Sequence, residues 1–464
     1  MQRRERIITV TSAGTPLQTE TGAALVIVMI AAVVMLISCL AVLQLGAQDA
    51  ALAVRDVRAA RSFFLAESGL ARGEAWLRAQ TVAPSEEADA VGASPDTLAG
   101  GLYSIAVTPI PGAVKPTYTV TATATHGDRT TVLESDLVPM TYTDYLYFVN
   151  RDVSSGSPAW FCSGDTIYGP VHTNDQIGIR GDPVFTDVVQ SGSSLLRYDN
   201  NGSPIQSASE SNPPYDNPTF EGGLVLGTHE IPWLDQSTIS DLDGLCGLRL
   251  NGGHEIVFGR TTATGDLVGY VSYRPTPVGS GTWTDVPLSS FNGVISVNGD
   301  AILSGTVDGH ATVVSGGQTT IVDDLVYHDS DENGPLPDCD DILGIVAGSK
   351  VVVADNEPNR SDCVIHAHII AINNQACLVQ NYDQGSPRGT LRFYGGIAQD
   401  KWGPVGTGYL TEEGQFITLT GYQRDFHYDS RLQGLLPPGY STVLFDDLNN
   451  ATCYRIAWRD VTPR

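Results

Sequence analysis

The strongest cation-binding pattern in the chain is Asp329-Ser330-Asp331-Glu332-Asn333-Gly334. Oxygen-bearing side chains at alternate positions (Asp329, Asp331 and Asn333) can converge on one hard cation, Gly334 permits the sharp turn, and Asp340 falls where a closing carboxylate belongs. Calcium is the cation such a set would take. Pro335 and Pro337 occupy intermediate ligand positions, the last carboxylate is Asp rather than Glu, and no helices flank the loop. A loop-type site is therefore weighed against a solvated acidic turn. His366-Ala367-His368 is the second pattern. Residues two apart on a strand share a face, so both imidazoles can reach one metal. No third ligand accompanies them, and a hydrogen-bonded polar strand face accounts for the pair better. His172, beside Thr173, Asn174 and Asp175, has the chemistry of a general base, but a strand-end turn tied by Asn and Asp explains it better.

Seven cysteines are present. Cys39 lies inside an apolar run, whereas Cys162, Cys246, Cys339, Cys363, Cys377 and Cys453 form an even set in the remainder. An exported compartment would allow these six to pair as three disulfides, and six buried thiols are the equal alternative. No Cys-x-x-Cys, Gly-x-Ser-x-Gly, phosphate loop or His-Glu-x-x-His occurs, so the sequence points to a non-enzymatic protein.

The element that must position everything else is the stretch Ala23 to Leu43, which includes Ala23, Leu25, Val28, Ile30, Val34, Leu36 and Leu43. The uncharged run extends from Thr21 to Gln48. A hydrocarbon core of about 30 Å needs roughly 20 apolar residues as helix, so the stretch spans a membrane. It exceeds the roughly 7–15 residues of a secretory apolar core. The helical pattern continues past Phe63-Phe64-Leu65 to Trp76-Leu77. One helix over 23–80 is predicted, transmembrane first and amphipathic later. Arg3, Arg4 and Arg6 precede it; basic flanks stay cytoplasmic, so the bulk lies across the inner membrane, on the periplasmic side.

The formal charge of −26, from 52 acidic and 26 basic residues, excludes nucleic acid as a partner, because Lys and Arg supply that affinity. Abundant Gly (49) and Pro (26) between short Val/Ile/Thr runs predict a mostly β protein. Residues 81–97 read as a linker. Period-two runs over 98–138, such as Tyr118-Thr119-Val120-Thr121-Ala122-Thr123, predict a small antiparallel sheet on the long helix. From 142 to 464 the strands are shorter and closely spaced, with Asn298-Gly299, Ser315-Gly316-Gly317 and Gly348-Ser349 between them. That spacing predicts a large, irregular right-handed β-solenoid, with a β-sandwich as the alternative. Residues 186–290 are expected to be loops or an insertion, and the Pro437-Pro438-Gly439 region an end cap.

A basic leader (1–22), then Gly22, then Ala23-Ala24-Leu25-Val26-Ile27-Val28, with Arg61-Ser62-Phe63-Phe64-Leu65-Ala66-Glu67-Ser68-Gly69-Leu70 downstream, resembles the PilX-type minor pilins and pseudopilins. The resemblance implies cleavage between Gly22 and Ala23 by a prepilin peptidase, other pilin-like subunits as partners, and residues 98–138 as a pilin-like head. It implies membership of a type IV pilus or type II secretion-type filament, possible exposure at the cell surface, and a role in priming assembly or in adhesion at the tip. Ile27 stands where major pilins carry Glu, which suits a minor or tip subunit. The string Gly169-Pro170-Val171-His172-Thr173-Asn174, with Gly181-Asp182-Pro183-Val184-Phe185, resembles the DUF4900 family of exported domains. Later strings, Asp341 to Ala347, Tyr394-Gly395-Gly396-Ile397, Gly403 to Thr407 and Tyr428 to Leu432, extend that resemblance over most of 142–464. The alternative function is a membrane-anchored solenoid that binds or cleaves carbohydrate, with a glycan or surface ligand in a groove. A further alternative is an anchored envelope scaffold that joins no filament.

Overall fold

The computed structural model describes residues 20–80, 84–91, 95–113, 115–151, 153–154, 157–158, 160–209, 215–228, 230–373, 377–411, 416–440 and 453–463. The N-terminal element is one helix, α1, Glu20–Leu77. It contains no proline and is rich in Ala, Leu and Arg, which favour helix. At its end the Gln80 side chain donates to the Trp76 carbonyl at 2.8 Å, satisfying one of the exposed terminal carbonyls.

The second half of α1 lies on an antiparallel sheet. In that sheet Ala88–Asp89, Gly101–Pro109, Tyr118–His126, Arg129–Pro139 and Cys453–Asp460 follow one another. Leu65, Ala66, Leu70 and Leu77 face Ile105, Val107, Val120, Ala122, Leu133 and Leu137 in one core. Close approach is required at Gly73, where a Cβ would lie 2.5 Å from Val120 Cγ1. Gly69 is similar, at 2.9 Å from Ala122 Cβ. The sheet is larger than the expected 98–138. Its outer strand, Cys453–Asp460, comes from the far end of the sequence and is held by Arg459 against Asp136 at 2.6 and 2.9 Å. The C-terminal segment therefore completes the first sheet rather than the larger body, and everything between Pro139 and Cys453 is inserted between two neighbouring strands.

The body consists of parallel ladders. The longest runs, strand beside strand, through Leu224–Leu226, Val189–Ser191, Val171–Thr173, Tyr147–Arg151 and Pro387–Lys401. It continues through Cys363–Ala371, Ile342–Ala347, His310–Ser315, Val294–Val297 and Leu248–Leu250. The chain enters this ladder in its middle, at Tyr147–Arg151, and steps outward to Leu224–Leu226. It then crosses to the other end through the helix α2, Gln236–Leu245, and steps back inward until Pro387–Lys401 lies beside its own starting strand. Within 186–290, Val189–Ser191, Thr219–Phe220, Leu224–Leu226, Leu248–Leu250 and His254–Phe258 are thus members of parallel ladders, whereas Thr261–Thr262, Gly265–Asp266, Tyr270–Pro275 and Thr284–Pro287 form antiparallel excursions from them. A second ladder joins Thr219–Phe220, Val184–Phe185, Thr166–Tyr168, Phe416–Tyr428 and Pro387–Lys401.

Parallel strands buried on both faces read as continuous apolar runs, and the registers show why. Ile295, Val313, Ile345, Ile369 and Ile397 stack in one row inside the main core. Their neighbours Val314, Val346, Ile370 and Ala398 stack in the adjacent row, facing outward. That outer row is covered by Ile239 and Leu242 of α2, by Tyr142 and Tyr145, and by Leu436 and Tyr440. The Pro437-Pro438 segment lies here too: Thr312 donates to the Pro438 carbonyl at 2.7 Å, so the segment lies along the flank of the ladder.

Head and body are joined by a buried ion pair. Lys115 Nζ donates to Asp144 Oδ1 at 2.6 Å, and both side chains are buried. The other carboxylate oxygen of Asp144 accepts the Thr141 N–H at 2.7 Å, closing a capping box on the 3-10 turn Tyr142–Asp144.

Candidate functional site

Among the described residues, the largest unpartnered feature is the first half of α1. Every residue from 24 to 57 is exposed, including Leu25, Val28, Ile30, Val34, Leu36 and Leu43. The uncharged part, 24–48, is about 36 Å long at 1.5 Å per residue, enough to cross a membrane by length and composition. Burying one large aliphatic side chain is worth ~1.5–3 kcal/mol, so leaving this stretch in water forfeits tens of kcal/mol. Its one internal hydroxyl, Ser38, is satisfied by the Val34 carbonyl at 2.8 Å. Gly22 and Ala23 lie in the first turn of the helix, where only the backbone is described, and the leader arginines lie outside the described residues. From Ser62 onward the same helix turns a face with period 3.6 to the sheet: Ser62, Ala66, Leu70 and Leu77 are buried.

The residues singled out for chemistry have other partners. In the acidic loop, Ser330–Asp331 and Gly334–Pro335 form a small hairpin, in which Asp331 Oδ1 accepts the Asn333 N–H at 2.7 Å. Asp329 pairs with His328 at 3.1 Å. The buried carboxylate is Asp341, which accepts the Gly309 N–H at 2.6 Å and the Asp329 N–H at 3.1 Å, while Asp340 is exposed. Among the described residues no group of three or more His, Cys, Asp or Glu side chains is placed to hold a metal.

His366 and His368 do share the outward face of one strand, but each has its own surroundings. His366 Nδ1 accepts the Tyr327 N–H at 3.1 Å, and His368 lies 3.4 Å from both the Tyr440 hydroxyl and the Tyr142 carbonyl. Burial pushes both imidazoles down to about 4, so they are neutral near pH 7. His172 occupies the outer row beside Phe148, whose ring it stacks on at 5.2 Å. Because Asn174 Oδ1 also accepts the Ile231 N–H at 2.8 Å, it must accept from His172 Nε2 at 3.0 Å as well. Gln190 fills the other side at 3.2 Å. A histidine so held, with its pKa lowered by burial, fixes a turn.

Cys162, Cys246, Cys339, Cys363 and Cys377 are free thiols on separate strands and loops, and the Cys453 side chain lies outside the described residues. Burial pushes the thiol of Cys162 up to about 11 and that of Cys377 up to about 12, which keeps them protonated and unreactive.

Two clefts open on the body that the sequence did not disclose. One, about 740 Å³, is lined by Val268, Tyr270, Leu288, Phe291, Asp308 and His310. The other, about 410 Å³, is lined by Arg180, Asp182, Asp199, Asn201, Tyr215 and Tyr409. Tyr215 falls in a Ser/Asn/Pro-rich stretch and Tyr409 in a distant hairpin, and no local pattern couples them.

The family model described as a domain of unknown function (DUF4900) matches residues 113–194. That range covers the last two strands of the inserted-into sheet before the body, and the first strands of the body, including His172. It starts earlier and ends far sooner than the span from Tyr142 onward over which the motif strings suggested it. No curated protein matches. Among solved structures, the competence-associated pilin ComZ from Thermus thermophilus matches at 12% identity, over 87% of this chain and 98% of that chain, with a TM-score of 0.32. At that score the likeness is too loose to argue from.

Proposed function

We propose that the chain is a single-pass membrane protein that works as a non-enzymatic, pilin-like subunit of a type IV pilus or type II secretion-type filament. The observation that supports this reading best is the division of α1. Its second half packs one face on its own sheet, and its first half is apolar all round with no partner among the described residues. Such a helix suits a bilayer before assembly and a bundle of like helices after it. In this reading a prepilin peptidase cuts between Gly22 and Ala23, and the basic leader stays cytoplasmic. The parallel ladders are the coils of an irregular right-handed β-solenoid displayed outside the filament. The body, inserted between two strands of the head sheet, is too bulky for a repeating shaft position, which suits a priming or tip subunit.

The test is the N-terminus of the native, membrane-extracted protein by intact mass. A mature chain starting at Ala23 is expected. A chain starting at Met1 overturns the filament reading and leaves an anchored envelope protein. A second reading, a membrane-anchored carbohydrate-binding body, is favoured by one observation: the 410 Å³ cleft sets two exposed tyrosines beside carboxylates and an arginine.

A further inference from the structure

We infer that the cleft between Tyr215 and Tyr409 is a binding site for a neutral or amine-bearing oligosaccharide. The inference rests on the second reading above, for which it supplies a place and a ligand class.

The cleft is built at the ends of three neighbouring parallel strands, Trp160–Cys162, Gly178–Arg180 and Leu196–Tyr198. Each runs into a turn that contributes to the walls: Ser163, then Gly181 and Asp182, then Asp199 and Asn201. The turns are locked from behind. Asp216 is buried and accepts the Gly181 N–H at 2.6 Å with one oxygen and the Asn200 N–H at 2.7 Å with the other. Ser163 Oγ accepts the Asp182 N–H at 2.7 Å. The part of the walls built by these turns is therefore fixed before any ligand arrives, which lowers the ordering cost of binding.

Donors and acceptors remain on the open side. Arg180 lies 3.6 Å from Asp199 with its side chain 37% exposed, and Asp182 and Asn201 are exposed. Two phenol rings complete the cleft, Tyr215 at 59% and Tyr409 at 48% exposure. Rings that keep so much surface in water are available to stack on the apolar C–H face of a sugar. Carboxylates beside an arginine and an asparagine match the mixed donors and acceptors of vicinal hydroxyls. A volume of about 410 Å³ suits a short saccharide segment.

Charge decides the ligand class. Asp182, Asp199 and Asp216 outnumber Arg180 within the cleft, and the chain as a whole carries −26. Uronates and sulfated glycans are repelled, hydroxyls are neutral to the field, and a protonated amine is attracted both by the carboxylates and by the tyrosine rings.

The experiment is calorimetric titration of the full-length protein in detergent micelles with four probes: cellotetraose, glucosamine tetramer, tetragalacturonate and tetralysine. Binding of cellotetraose and glucosamine tetramer is expected, with the amine form tighter, and no binding of tetragalacturonate. Tyr409→Ala and Tyr215→Ala should each weaken binding about tenfold, with unchanged circular dichroism, and Tyr409→Phe should bind like the natural protein. Saccharide binding that persists undiminished in both alanine variants overturns this site while leaving a carbohydrate-binding body. Failure of both neutral and amine tetramers to bind, or tighter binding of tetralysine or tetragalacturonate, overturns the site and that reading together.

Discussion

The head and the body solve the burial problem in opposite ways. The body buries both faces of its strands, one row inward against the main core and one outward under α2, Tyr142 and Tyr440. It completes itself. The head buries one face of an antiparallel sheet against half of a helix and leaves the other half of that helix without a partner among the described residues. The surface that demands something external is therefore in α1. On the reading proposed above, assembly would fall to that helix and recognition to the clefts of the body.

That contrast can be broken at several points. The largest effect is expected in the apolar half of α1. Replacing Val34 and Leu36 by Asp places two charges near the helix centre, at ~2.5–3.5 kcal/mol each on insertion scales. Membrane retention should fall by two orders of magnitude or more in cell fractionation. The body should keep its near-ultraviolet circular dichroism, because no described body residue packs on that half.

Acid should act on the body. His366 and His368 are held at about 4 by burial, below the ordinary value of 6.5. Above pH 6.5 both states are neutral there and stability is complete. As pH falls from 6.5 toward 4 the unfolded chain takes up protons that the folded chain refuses, so stability is lost across that window. The loss is on the order of 3 kcal/mol per histidine by pH 4. Denaturation followed at pH 7 and pH 4.5 should show it, and His366→Gln or His368→Gln should each flatten the slope.

The junction comes next. Lys115→Met leaves Asp144 buried without its cation, costing about 3–5 kcal/mol, whereas the double variant Lys115→Met with Asp144→Leu should recover much of that. Limited proteolysis of the connection near Pro139 reads the effect. The smallest change is Gly73→Ala in the head. Helix propensity favours it by about 1 kcal/mol, but its Cβ would meet Val120 at 2.5 Å. A net destabilisation of about 1–3 kcal/mol is expected, visible in the fluorescence-detected unfolding of the head, where Trp76 and Trp458 lie.

The helix was legible because an uncharged run of that length has few other physical explanations, and the mostly β class because turn residues recur between Val/Ile runs. The head sheet was legible only in part. Cys453–Asp460 alternates like the other strands, yet nothing local says that its partner is Arg129–Pro139. The same limit hid the course of the body, where Tyr147–Arg151 pairs with Pro387–Lys401 across the whole domain. Residues 186–290 read as loops in part because strands of two or three residues, such as Val189–Ser191, Thr219–Phe220 and Leu224–Leu226, carry too little periodicity to register, although the longer His254–Phe258 and Tyr270–Pro275 lie among them. Strand alternation correctly put His366 and His368 on one face, but their partners, Tyr327 and Tyr440, come from elsewhere in the sequence. In the acidic loop the spacing singled out Asp340, and the fold buries its neighbour Asp341 instead, to accept two backbone N–H groups. The 410 Å³ cleft was invisible for the same reason as the ladder: its walls join turns of 163–216 to the distant hairpin that carries Tyr409.

On the proposed reading, the exposed half of α1 passes from lipid into a bundle of like helices, and a photo-cross-linking residue at Leu36 in cells making the native assembly reads that passage. Covalent adducts with the N-terminal helix of another pilin-like subunit are expected, and they are lost when Val34→Asp is added. Adducts with lipid alone would contradict it.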